Sequence, residues 1–129
     1  MKMSGVLRRG ALGAVIMLPV LAGSVAAHHG WGWTSDEPFE LTGTVEDIYM
    51  GQPHPTLTVN AADGTWQVDL APLQRTRAAG FDESVAGPGD EVTAYGYRSL
   101  DQTEQRMKAA RIVVGGEAYD VYPNRAQAF

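Results

Sequence analysis

From residue 39 onward, apolar and polar side chains take turns. Phe39, Leu41, Gly43 and Val45 are separated by Glu40, Thr42, Thr44 and Glu46, the period of two that sets one face of a strand against a core. The alternation slips at Ile48, which predicts a bulge near Glu46–Asp47. Leu57 and Val59 mark a second strand, Asp63-Gly64 a hairpin turn, and Trp66, Val68 and Leu70 a third strand. Pro72 to Ala79 reads as the one helix of this region, with Pro72 at its first position and Gly80 just past its end. Gly87-Pro88-Gly89-Asp90 makes a turn, strand four runs about Glu91 to Tyr97 and strand five about Met107 to Val114. Gly115-Gly116 then turns the chain into a last strand ending near Tyr122.

Three strands, a short helix and two or three more strands predict an all-β fold. The expected architecture is a small Greek-key barrel of five to six strands, like the oligonucleotide/oligosaccharide-binding (OB) barrel, with its helix between strands three and four. Closing the sheet removes the exposed edges that a domain of this size would otherwise present. An open sandwich is the alternative.

The first 27 residues differ in kind. Lys2, Arg8 and Arg9 precede an apolar run from Ala11 to Leu21, and Val25-Ala26-Ala27 offers small residues to a peptidase. This is the pattern of a secretory signal, and the apolar run is short for a bilayer span. The expected organisation is a signal at 1–27, an arm at 28–37, the barrel at 38–123 and a frayed tail at 124–129. A periplasmic or secreted protein follows, with no membrane span after cleavage. Cutting after Ala27 makes His28 the first residue; cutting after Ala26 leaves Ala27 first.

Composition narrows the chemistry. The 129 residues include no Cys, which excludes disulfides, thiolate metal sites and a Cys nucleophile. Beyond the leader, 15 acids stand against 7 bases, a net charge of −8. Because Lys and Arg supply most of the affinity for a phosphate backbone, the expectation is no nucleic acid partner. Enzymatic signals are weak: Ser84 and Ser99 lack a neighbouring His, and no nucleophile elbow or phosphate loop occurs. No enzyme is expected.

The three histidines fall in two places. His28-His29 open the arm, and His54 lies in Gln52-Pro53-His54-Pro55 between strands one and two. A first-residue His closes a chelate ring on a metal through its amine and Nδ1, and a second imidazole completes three nitrogens around Cu(II). The prolines about His54 restrict its backbone and lower the entropy lost on binding. Met50 offers an extra thioether ligand, and Asp36 or Glu37 an oxygen. These residues predict a copper site for storage, delivery or buffering. The plainer reading is an exposed His pair and a packed loop His. A site shared by both places needs the arm to fold back along the barrel, because it enters strand one at the end away from His54.

In its order of motifs the chain resembles a family of small exported bacterial proteins of unknown function. The matching segments are Ala27-His28-His29-Gly30-Trp31, Leu41-Thr42-Gly43-Thr44-Val45, Gln52-Pro53-His54 and Pro88-Gly89-Asp90-Glu91-Val92-Thr93-Ala94-Tyr95-Gly96. They span nearly all of the chain after the leader. Gln52 stands where that family has Asn, and Pro55 after the His also departs from it. The resemblance implies export and a common fold, and it adds weight to a His-based metal site.

The alternative function is a metal-free module binding a periplasmic protein or small ligand through aromatic rings. Trp31, Trp33, Tyr95 and Tyr97 would form that surface. The same tryptophans would equally serve to pin the arm to the barrel.

Overall fold

The computed structural model describes residues 30–129 together with the glycines at 5, 10 and 13. Apart from those glycines the expected signal at 1–27 lies outside the described residues, and so do His28 and His29.

Among the described residues six strands and two short helices follow in order: β1 (Phe39–Tyr49), β2 (Thr56–Ala61), β3 (Gly64–Asp69), α1 (Leu73–Ala78), β4 (Glu91–Arg98), β5 (Arg106–Val114), β6 (Glu117–Asp120) and α2 (Pro123–Ala126). The sheet order is β3-β2-β1-β4-β5-β6, and a parallel pairing of β3 with β5 closes the first five strands into a barrel. This is the OB fold, with its helix between the third and fourth strands.

The long first strand makes closure possible. Phe39–Thr44 pairs with β4, while Gly43–Tyr49 pairs with β2 across a register shift between Val45 and Asp47. The slip in alternation at Ile48 is therefore the bulge that lets one strand serve two neighbours. Gly43 sits where the strands cross closely: a Cβ there would collide with the Asn60 carbonyl. Gly96, at a second register shift, faces the Lys108 carbonyl in the same way.

The inward residues of the first three strands are those the alternation marked, and Val92 and Ile112 join them from β4 and β5. Leu41, Val45, Leu57, Val59, Trp66, Val68, Val92 and Ile112 share one buried cluster. Trp66 is 1% exposed, stacks on Phe39 at 5.2 Å and donates its indole N–H to Asp63 Oδ1 at 2.8 Å. That bond satisfies the polar end of a large buried ring.

Two ends differ from the sequence reading. Pro72 caps α1 instead of opening it, and the buried Thr76 hydroxyl donates to the Ala71 carbonyl at 2.7 Å. The last strand stops at Asp120, so Tyr122 lies beyond it and leads into α2. The tail 124–129 is thus no frayed end. Pro123 starts a helical turn, Ala126 is 1% exposed, and the Phe129 ring lies 5.6 Å from Tyr95 and 5.9 Å from Tyr97. Those rings give the tail apolar area to bury, which a polar terminus lacks.

Candidate functional site

The arm turns back along the barrel. Thr34 bridges Ser99, Ser35 N–H donates to the Arg98 carbonyl at 2.9 Å, and Leu100 N–H donates to the Trp33 carbonyl at 2.9 Å. Upstream of that bridge the arm crosses the start of β5. Arg106 lies over the Trp33 ring at 4.2 Å and the Lys108 ammonium over the Trp31 ring at 4.6 Å. Lys108 Nζ also donates to the Gly30 carbonyl at 3.0 Å. The two tryptophans therefore pin the arm, by cation–π contacts with the outward side chains of one strand.

This route brings the arm toward the loop that holds His54. Lys108 is the register partner of Asp69 across the β3–β5 seam. Asp69 Oδ2 lies 3.8 Å from His54 Nε2. The other ring nitrogen, Nδ1, lies 3.2 Å from the Pro55 carbonyl, which can only accept, so Nδ1 carries the hydrogen. Nε2 is the ring nitrogen on the carboxylate side. The Asp69 carboxylate is buried and held from two directions, by Gln67 Nε2 at 2.8 Å on Oδ1 and by Arg106 at 2.6 Å on Oδ2. The loop also contains a cis peptide bond between Gln52 and Pro53.

The other expected ligands are dispersed. Met50 packs against the barrel core, and Asp36 and Glu37 are exposed on the arm. Among the described residues no three metal-ligating side chains gather in one place.

Three of the four expected surface aromatics, Trp31, Tyr95 and Tyr97, are engaged with other rings. Trp31 packs edge-on against Tyr97 at 5.7 Å and Tyr122 at 4.9 Å, and the Arg125 guanidinium covers Trp31 at 4.1 Å. Tyr97 is 9% exposed. Trp31, Tyr95 and Tyr97 thus line a second small core on the outside of β4 and β5, where arm and tail dock, while Trp33 lies apart under Arg106 and beside Ser99 and Leu100. Burial holds the Lys108 ammonium below the ordinary lysine range, and it pushes the Tyr122 hydroxyl above the ordinary tyrosine range, against the opposing charges of Arg75 and Arg125.

Beside this cluster opens a cleft of about 610 Å³, bordered by Trp31, Arg75, Asp120, Tyr122, Asn124 and Arg125. Nothing in the sequence pattern marks Arg75, Tyr122 and Arg125 as residues of one site. Their meeting depends on the docking of α2, and no periodic signal announces a helix of four residues.

No family model matches the chain, and no curated protein matches it. Solved structures share the barrel. The Stn1–Ten1 complex of S. pombe aligns with a TM-score of 0.51 at 14% identity, over 81% of this chain and 80% of that one. TiaS in complex with a tRNA and ATP aligns with a TM-score of 0.48 at 16% identity, over 60% of this chain. A TiaS mutant lacking its ZRD, in complex with agmatine, aligns with the same score over 66% of this chain. The chain spans 18% and 26% of those two TiaS chains.

The shared fold corrects one expectation. The net negative charge predicts no nucleic acid partner, yet the OB barrel, shared with the Stn1–Ten1 complex, is an architecture whose strand face and loops serve oligonucleotide binding as well as other ligands. The physical reason lies in distribution. Net charge sums over the whole chain, whereas Arg75, Arg106, Lys108 and Arg125 here line up on aromatic rings along one side. Charge arithmetic therefore excludes no class of anionic partner.

Proposed function

We propose that this chain is an exported OB-fold protein that binds a transition metal, copper first, through His28, His29 and His54, for storage, delivery or buffering. The observation that supports this reading is the bond from Lys108 to the Gly30 carbonyl. It holds the arm beside the register partner of Asp69, the residue that faces His54.

The tautomer of His54 fits the same reading. An imidazole that gives its Nδ1–H to a backbone carbonyl is held in place with Nε2 open to a metal. A carboxylate 3.8 Å from Nε2 favours a cation there, although Arg106 shares that carboxylate. The resemblance to small exported proteins supports the leader and the periplasmic location.

The test is a calorimetric titration of the exported, processed protein with Cu(II) and with Zn(II). One copper per chain is expected. His54→Ala should weaken it at least about tenfold, and acid should release it by protonating the imidazoles. Copper affinity unchanged by His54→Ala removes the loop from the site.

A further inference from the structure

We infer that the cleft between the arm, α1 and α2 is a second binding site, and that it takes an organic oxyanion gripped by Arg75 and Arg125. The argument starts from how the arginines are employed. Arg77 pairs with Glu83 at 3.4 Å, and Arg106 with Asp69 at 2.6 Å. Arg111 holds both oxygens of Asp120, at 2.6 and 3.2 Å, and Arg98 donates to the carbonyls of Gln102 and Glu104. Arg75 and Arg125 make no ion pair and no side-chain hydrogen bond among the described residues. Instead Arg75 lies over the Tyr122 ring at 5.3 Å and Arg125 over the Trp31 ring at 4.1 Å.

Stacking fixes a guanidinium without using its donors. The flat face meets the ring, and the N–H groups around the edge stay open for two-point contact with a carboxylate or phosphate. Both guanidinium groups act on the same Tyr122 hydroxyl, so their fields overlap in the cleft. The one carboxylate on the border, Asp120, is already neutralised by Arg111. In a chain with more acids than bases, two guanidinium groups that border one cleft and make no ion pair of their own among the described residues favour an anion there.

The remaining walls define the rest of the ligand. Ala78, Ala79, Val121 and Pro123 supply an apolar side. A volume of about 610 Å³ suits a small organic molecule and exceeds what a bare inorganic anion fills. The ligand therefore carries one oxyanion group on an apolar body. A free phosphate ester and the terminal phosphate of a nucleic acid strand share this chemistry.

The experiment titrates the full processed protein with phenyl phosphate, with inorganic phosphate and with a 5′-phosphorylated ten-nucleotide thymidine strand. A chelator is present throughout, so that the metal proposal is not at stake. Saturable binding of phenyl phosphate at one site is expected, tighter than that of inorganic phosphate. Arg75→Gln and Arg125→Gln should each weaken it at least about tenfold, as for loss of a charge-assisted bidentate contact. Arg77→Gln, whose partner is Glu83, should leave it unchanged. A phosphorylated strand that binds more tightly than phenyl phosphate, and is lost in the same variants, identifies a strand end as the source; parity identifies a free ester. Thermal melting accompanies each variant, and Arg75, exposed on α1, can be replaced without opening a core. No saturable binding of either organic probe, or binding that a folded Arg75→Gln variant retains, overturns the inference.

Discussion

Arg106 and Asp69 meet at 2.6 Å across the parallel seam between β5 and β3, joining the two strands whose pairing closes the barrel. The carboxylate is 3% exposed and the guanidinium 26%. Removing the acid alone leaves a half-buried cation at the seam, which costs about 3 kcal/mol. Asp69→Ala should accordingly lower the urea midpoint well below that of wild type. A variant with an unchanged midpoint would show that the seam is held by backbone pairing and packing alone.

Gly96 is a test of strand spacing. Its missing Cβ lets the Lys108 carbonyl approach at the β4–β5 bulge. Gly96→Ala should cost about 2 kcal/mol through forced backbone displacement and should shift the amide resonances of Tyr97 and Ala109. Melting at the wild-type temperature would mean that the bulge yields freely.

Trp31 couples the arm to the barrel through Tyr97, Tyr122, Lys108 and Arg125. Trp31→Ala should release residues 30–35, read as faster amide exchange at Thr34 and Ser35 than in wild type. On the proposed function it should also weaken copper binding while removing no ligand. Arm exchange rates equal to those of wild type would locate the anchor at the Thr34–Ser99 bridge instead.

Lys108 gives the stability a dependence on pH. Burial lowers its folded pKa beneath the ordinary 10.5, with Asp69 opposing and Arg125 and Arg106 adding to the shift. Between the folded value and 10.5 the unfolded chain holds more protons, so this group's contribution to stability rises with pH. Tyr122 works the other way: its raised pKa contributes stability that is lost as pH climbs above 10.0. Comparing wild type with Lys108→Met isolates the first effect. Wild type should gain on the variant as the pH of a urea titration is raised from neutrality toward the ordinary lysine range; a constant or shrinking difference would contradict the sign.

The tail offers a further check. Truncation after Pro123 removes Ala126 and Phe129 and frees the Arg111 contact to the Phe129 carbonyl. Tyr95 and Tyr97 should then become accessible to nitration, with protection in the full chain. Equal rates in both would mean that the tail does not cover them.

Alternation within each strand is a local property, and it is enough to read the barrel, its bulge and its helix. Leu41, Val45, Leu57, Val59 and Trp66 can be assigned inward from spacing alone. The arm and tail are less legible because their partners are remote in sequence: nothing near Trp31 marks Lys108 or Tyr122 as its neighbours. The charge sum misleads for a related reason, since it carries no information about which bases come to lie together. Arg75 and Arg125 belong to different helices, and their shared cleft exists only after the tail has docked.

The reversal of the arm also sets an order in time. Gly30 and Lys108 stand 78 positions apart, and a contact that distant forms only after a large loop has closed. As the chain is made, the arm emerges well before the strand it rests on. The arm therefore stays unpacked until β5 exists, and laying it down is a late event in folding.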